Sequence, residues 1–319
     1  MYSNVIELNS GWGAEYFVNK ALNTLGHETW CIDYRKYRDV LYDKFSEAPL
    51  CDVFLLQRGD YFPIQILRAL DIPNFFWASE LVSRCRDQDR LLRSKQFSHV
   101  FFRTHNCIES VISKGWLTRD QCSIMLSGFD DTVFRPLNSP KDIDILFVGA
   151  ITPRRKKLLS DLQNDVEVVV EKVFGEKCVE LINRSKIILN IHADDYLDTE
   201  TRVYEVLGCN AFLLTEKLSP ENPFTNQELV EFKDIHECKE IIKYSLANEE
   251  YRSKVAMNGY QSAVRKHTYT MRAKELISMF SSYMPQSNFN GRNLDPTLFA
   301  FYKLEESINK YIPRNLKRL

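Results

Sequence analysis

The segment Thr201-Arg202-Val203-Tyr204-Glu205-Val206-Leu207-Gly208-Cys209-Asn210-Ala211-Phe212-Leu213-Leu214-Thr215 follows an apolar run, Lys186-Ile187-Ile188-Leu189-Asn190-Ile191-His192, across a polar loop. The run predicts a buried strand. The segment then predicts a helix carrying one acid, Glu205, ended near Gly208, and a second apolar strand over 211–214. Strand, polar loop, helix and strand in that order put the helix N-terminus at the carboxyl edge of a parallel sheet, where open α/β sheets bind ligands. Helix N-terminal amides with Thr201 and Arg202 beside them suit a phosphate. A glutamate one turn further in suits a pair of sugar hydroxyls. Phosphate plus ribose is what a nucleotide-sugar presents.

The rest of the chain repeats the same alternation. Apolar runs at 5–8, 29–32, 52–56, 74–77 and 99–102 are separated by helical patterns; one of these, 15–25, keeps Phe17, Val18, Ala21, Leu22 and Leu25 on one face and stops at Gly26. Repeated strand–helix units predict a parallel sheet covered on both faces, a Rossmann-like domain. Phe134-Arg135-Pro136-Leu137-Asn138-Ser139-Pro140 then reads as a linker. The alternation restarts with 143–148, a basic helix from Arg154, 166–170, a helix from Gly175, and 187–191. Helical patterns follow at 237–247, 249–266 and 271–280. The expected fold class is α/β, with two Rossmann-like doubly wound parallel-sheet domains facing a cleft. The first spans 1–138 and the second 139–282. A polar loop and an amphipathic helix with Leu298, Phe301, Tyr302, Leu304, Ile308 and Tyr311 make up 283–319.

Composition narrows the functions. Lys and Arg number 42 against 43 Asp and Glu, a net charge of −1, which argues against general nucleic-acid binding. No apolar segment reaches the ~18–20 residues of a membrane span, and the start shows no signal-peptide pattern, so a cytoplasmic protein is expected. Eight cysteines are scattered without a Cys-x-x-Cys pair, which predicts buried thiols rather than disulfides or zinc. His192 with Asp194 and Asp195 is too unspecific to imply a metal; donor contact is the expectation for His192. The basic end, Lys310, Arg314, Lys317 and Arg318, supports at most peripheral membrane contact.

The stretch from Leu189-Asn190-Ile191 through Asp194-Asp195 and Arg202-Val203-Tyr204-Glu205 to Ala211-Phe212-Leu213-Leu214 resembles the donor-binding region of GT-B fold glycosyltransferases, family 4-like, of the spore-maturation-protein-like subgroup. The resemblance implies that Glu205 binds the donor ribose, with Arg202, Thr201 and Tyr204 beside it. A first glutamate of the family falls on Leu197, with Asp195 or Asp198 able to stand in. It also implies that basic residues after the strand 143–148 hold the donor diphosphate. In Gly149-Ala150-Ile151-Thr152-Pro153-Arg154-Arg155 the family's arginine is replaced by Ala150, leaving Arg154 and Arg155 as candidates, Arg155 preferred on spacing. Basic residues opening a helix oppose its dipole, so a purely structural helix start would favour acids there. Terminal helices of such enzymes cross back onto the N-terminal domain.

Weaker candidates lie in the first half. Gly11 and Gly13 flank Trp12 between the first strand and helix; the glycines suit a close backbone approach to a phosphate or an ordinary tight turn, and Trp12 an acceptor pocket. Glu80 suits acceptor deprotonation or a helix start capped by Ser79, and His105 is equally ambiguous. The expected activity is transfer of a sugar from a nucleotide-diphosphate sugar, UDP favoured, to the hydroxyl of an unknown glycan, lipid, protein or small-molecule acceptor. Retention comes from the resemblance; no metal or other cofactor is expected. A nucleotide-sugar epimerase or phosphorylase on the same architecture is the alternative, as is a binding or scaffold protein without turnover, for which Leu197 and Ala150 speak.

Overall fold

The computed structural model describes the backbone of residues 2–4, residues 12–283, and Thr297, Ala300, Phe301 and Leu304. The chain divides into two units, Met1–Met125 with Leu276–Leu319, and Leu126–Glu275.

The first unit runs β1 (Tyr2–Asn4), α1 (Ala14–Thr24), β2 (Cys31–Asp33), α2 (Leu41–Ser46), β3 (Phe54–Gln57), α3 (Ile64–Ala69), β4 (Asn74–Trp77), α4 (Arg86–Arg93), β5 (His99–Phe102), α5 (His105–Ser113) and β6 (Cys122–Ile124). Its six strands are all parallel, in the order β2-β1-β3-β4-β5-β6. Every residue of β3, β4 and β5 is buried, as expected of central parallel strands with both faces covered. Phe45, Phe54 and Phe62 stack edge-on or tilted within 5.7–6.0 Å of one another in the core. The expected strand at 5–8 and Gly11 lie outside the described residues, as does most of 283–319; Thr297, Ala300, Phe301 and Leu304 are helical.

The second unit runs β7 (Ile143–Val148), α6 (Pro153–Gln163), β8 (Val169–Glu171), α7 (Gly175–Arg184), β9 (Ser185–Asn190), α8 (Thr201–Gly208), β10 (Leu213–Glu216), β11 (Val230–Phe232), α9 (Ile235–Ala247) and α10 (Glu249–Lys266). A last helix, α11 (Tyr269–Ser282), begins here, and its end belongs to the first unit. There the Phe280 ring lies 4.6 Å from Phe75, and the Tyr283 hydroxyl 3.2 Å from His99. The second sheet is also wholly parallel, in the order β11-β10-β9-β7-β8. The second sheet thus follows the doubly wound pattern 2-1-3-4-5, and the first extends it by a sixth strand; the ligand crevice of such sheets opens where the winding reverses.

The expected boundary at 138/139 moves to 125/126 because residues 126–138 are tied to the second unit. Arg272 Nε donates to the carbonyls of Leu126 (2.8 Å) and Ser127 (3.0 Å). Phe129 is buried and bridges to Thr268. The Asn183 side chain accepts from Leu137 N (2.7 Å) and donates to Arg135 O (3.1 Å), so the proline-containing stretch is held rather than free.

Two expectations follow. A Cβ at Gly208 would meet the Phe129 ring and stand 2.9 Å from Phe134 O. Gly208→Ala should therefore destabilise the chain by about 1–3 kcal/mol in denaturant titration, through overpacking. His267 is buried beside Tyr204 and accepts at Nδ1 from Arg272 Nη2 at 2.9 Å. Burial, then Arg272 and Lys266, against Glu228, push its pKa down from 6.5 to about 4. A lowered histidine pKa gives stability that is complete above 6.5 and lost as pH falls toward 4, about 3 kcal/mol for a shift of this size. Unfolding free energy of the wild type should fall more steeply over that window than that of His267→Gln; equal slopes would show that His267 is not responsible.

Candidate functional site

In the second unit the winding reverses between β7 and β9, which pair directly, Phe147 opposite Leu189. Two segments leave their carboxyl ends, 149–152 and 191–200. Thr152 caps α6 by accepting from Arg155 N (3.3 Å), with Pro153 at the first helical position. The Thr152 hydroxyl donates in turn to Ala193 O at 3.0 Å, joining the two segments.

The two arginines that open α6 extend this joint. Arg154 donates from Nη1 and Nη2 to both oxygens of Glu216 (2.8 and 2.5 Å), from Nε to Asp195 Oδ1 (2.8 Å), and to His192 O (3.1 Å). Glu216 also accepts from His192 N at 2.6 Å. Glu216's hydrogen bonds hold Arg154 protonated far above its ordinary pKa, although burial opposes this. Arg155 is more deeply set. Its Nε donates to Ile191 O (2.8 Å) and Nη1 to Ala150 O (3.1 Å), with Glu200 at 3.6 Å. Its guanidinium lies over the Phe147 ring at 5.4 Å. A Cβ at Gly149 would sit 3.3 Å from the Phe147 ring and 3.4 Å from Arg155 Nη1. The unfavourable basic helix start is thus compensated by carbonyls and carboxylates from the 191–200 segment and β10.

At the start of α8, Arg202 Nη1 bonds Glu205 Oε2 at 2.8 Å and donates to Cys178 Sγ at 2.8 Å. The pair is largely shielded, so it is not an exposed helix-surface ion pair. Burial disfavours the Arg202 cation, but Glu205 and Cys178 outweigh it and raise its pKa. The Thr201 hydroxyl lies 2.8 Å from that of Ser127.

Two expected donor contacts are corrected. Tyr204 has no exposed surface; its ring packs on Phe224 and His267 in the core, out of a ligand's reach. His192 is also buried, with Nε2 2.9 Å from Lys217 O and Nδ1 3.8 Å from Glu200. Burial lowers its pKa, but Glu200, the Lys217 carbonyl and Glu216 outweigh it and raise it. Glu216 and Glu200 were not anticipated; the readable signal was a carboxylate ending an apolar strand beside a basic loop.

In the first unit the weaker candidates do not converge. Gly13 opens α1 at φ +123°, a backbone requirement that explains the glycine. Trp12 packs edge-on against Phe17, 6.3 Å between ring centres. Glu80 is exposed, its backbone held by Gln88 (3.0 and 2.8 Å); α4 starts only at Arg86, so Ser79 does not cap it. His105 lies exposed in the first turn of α5, which Thr104 caps. None of the eight cysteines is paired; five are buried and three half-buried. Among the described residues no helix is long and apolar enough to cross a membrane, and no group of three His, Cys, Asp or Glu side chains is placed to hold a metal.

Residues 132–278, nearly the whole second unit, match the family "Glycosyl transferase-like". The match covers somewhat less than half of the chain. Two uncharacterized proteins of Acanthamoeba polyphaga mimivirus are similar in sequence. L138 is 34% identical over 80 residues, 23% of this chain and 8% of that protein. R358 is 33% identical over 138 residues, 40% of this chain and 49% of that protein, so the match spans about half of R358 and a small part of L138. In structure the chain is similar to a glycosyltransferase from Rickettsia africae (TM-score 0.63, 10% identity, 90% of this chain and 98% of that one). It is also similar to Anabaena HepE in complex with UDP and glucose (TM-score 0.58, 10% identity, 82% and 88%). The fold, with its two parallel sheets in succession, is that of GT-B glycosyltransferases.

The arginine joint of the second unit leads to a direct prediction. Asp195 is 95% exposed, whereas Glu216 and Arg154 are largely covered. Glu216→Gln should lower stability by about 1–2 kcal/mol by leaving Arg154 without its main counter-charge, and Asp195→Asn should leave the melting temperature unchanged. Equal effects of the two, read by calorimetry, would contradict the assignment.

Proposed function

We propose that the chain is a glycosyltransferase that moves a sugar from a nucleotide-diphosphate sugar, UDP favoured, to an acceptor hydroxyl, with retention and without a metal ion. The observation that carries this reading is the position of the Arg202–Glu205 pair at the start of α8, beside the winding reversal of a glycosyl transferase-like domain. The complex of HepE with UDP and glucose, in a protein of the same fold, supports UDP as the nucleotide.

In this reading Glu205 accepts from the ribose hydroxyls, and Arg202 orients its carboxylate. Arg154 meets the diphosphate. Its bond to the exposed Asp195 carboxylate marks where an anionic oxygen sits, and an exposed ion pair is weak enough to be displaced. Glu216 and the His192 carbonyl stay in place and fix the guanidinium fork. Arg155 positions the 149–152 segment through its carbonyl contacts rather than touching the donor. As the glycosidic bond breaks, negative charge grows on the leaving diphosphate, and a preset arginine stabilises it without a metal. A second reading has its own observation. Leu197, where the family carries a glutamate, is 44% exposed in the loop beside Asp195, so a site that binds the nucleotide without sugar transfer is the competitor.

Thermal shifts with UDP, GDP, ADP and CMP test the proposal. One diphosphate nucleotide at 100 times its Kd should stabilise the wild type by ~2.7 kcal/mol. Glu205→Ala should abolish the shift, and Arg154→Ala should weaken it. If no nucleotide stabilises the wild type, the reading fails. If UDP binds but UDP-sugars release neither UDP nor transferred sugar, the binding protein is the correct reading.

A further inference from the structure

The first unit contains a cavity of about 350 Å³ that none of the donor residues enters, lined by Tyr34, Arg35, Arg38, Leu41, Asp60, Tyr61 and Pro63. Its volume lies in the ~300–1,000 Å³ range of small-molecule sites. Tyr34 and Arg35 directly follow β2, and Asp60 and Tyr61 follow β3, so the cavity opens at the carboxyl edge of the sheet on either side of β1. This is the edge at which such sheets hold ligands.

The chemistry of the lining is specific. Arg35 is paired with Asp60. Arg38 stands 5.1 Å over the ring of Tyr61 and has no carboxylate partner among the described residues. Among the described residues, two cations against one carboxylate leave the lining at +1. The Tyr61 ring is 64% exposed, an aromatic face offered to the cavity mouth rather than buried in the core. Tyr34 is held at the floor, its hydroxyl accepting from Gly59 N at 2.9 Å.

The loop that presents Tyr61 and Asp60 is strained and fastened. Arg58, Gly59 and Tyr61 all adopt left-handed backbone, at φ +62°, +80° and +62°. Non-glycine residues keep such conformations only where the surroundings impose them. Here Arg58 is paired with the buried Glu15, Tyr61 N donates to Asp87, and Phe62 O accepts from Arg90 Nη2 at 2.7 Å. The loop that carries the exposed aromatic ring is therefore preset, and Arg38 stands over that ring.

We propose that this cavity binds an acidic saccharide, its ring stacked on Tyr61, its carboxylate on Arg38, and its hydroxyls on the Asp60–Arg35 pair. A flat sugar face suits an exposed aromatic ring. A carboxylate suits a guanidinium fork, and neutral sugars leave the lining charge unmet. Use of this cavity as the acceptor subsite rests on the glycosyltransferase reading; binding itself does not.

Saturation-transfer NMR titrations of the full chain with D-glucuronate, D-glucose and inorganic phosphate test it. Wild type should bind glucuronate at least tenfold more tightly than either glucose or phosphate. Arg38→Ala should weaken glucuronate at least tenfold, Arg38→Lys less, and Tyr61→Ala should lose the ring-proton transfer. Both side chains are partly or largely exposed, so the variants should melt with the wild type, and Arg38→Lys serves as the folded control. Equal binding of glucose, equal binding of phosphate, no binding of glucuronate, or binding unchanged in Arg38→Ala would each overturn the proposal. The UDP thermal shift, lost in Glu205→Ala and kept in Arg38→Ala, reports on the donor reading separately, so failure of one is distinguishable from failure of the other.

Discussion

The direct pairing of β7 with β9 governs the polar edge of the second unit. The strand between them in sequence, β8, lies on the outer side of β7, so the crossovers on either side of the reversal leave in different directions. That divergence gives the 149–152 and 191–200 segments room at the carboxyl edge. It also brings a basic helix start and an acidic strand end together from positions up to 62 residues apart. The strands beneath that edge are buried except at Asp144 and Lys186, near their amino ends.

Charge compensation then decides which side chains remain available. Two arginines at a helix N-terminus oppose the dipole, and each is stabilised differently. Arg155 turns inward onto carbonyls and an aromatic face. Arg154 keeps a covered partner on one side, Glu216, and an exposed one on the other, Asp195. The exposed pair is the weak side, because solvent screens it and two side chains must be ordered to hold it. Arg154 is thus fixed from behind and loosely satisfied in front. Arg202 and Glu205 follow the same logic, with Cys178 as the inner partner.

The first unit puts its fixed polar groups elsewhere. The carboxyl ends of β2 and β3 carry a cavity whose cations outnumber its carboxylates, presented on a loop with left-handed arginine and tyrosine residues. The loop is over-determined by a buried carboxylate, a backbone bond to Asp87, and Gly59, where an added Cβ would crowd Leu91 and stand 3.2 Å from Leu56.

Much of this was legible in the residues. Four-residue apolar runs such as Asn74-Phe75-Phe76-Trp77 and His99-Val100-Phe101-Phe102 became strands at the expected residues, because a strand buried on both faces carries an unbroken apolar signal. The helix 249–266 began and ended as read, with Asn248 capping it. The edge strands β6 and β11 were missed: each has three residues, and little apolar area marks them. Helix phase was the subtler failure. In Thr201–Gly208 apolar residues surround the axis, and spacing alone does not tell that Tyr204 faces the core while Glu205 faces Arg202. Local spacing of apolar residues thus determined that the chain is two runs of alternating strands and helices, because burial acts on each segment independently. Which arginine is buried, which carboxylate answers it, and where residues 126–138 belong depended on pairings across 36 to 146 residues, and only the folded sheets bring those partners within hydrogen-bonding distance.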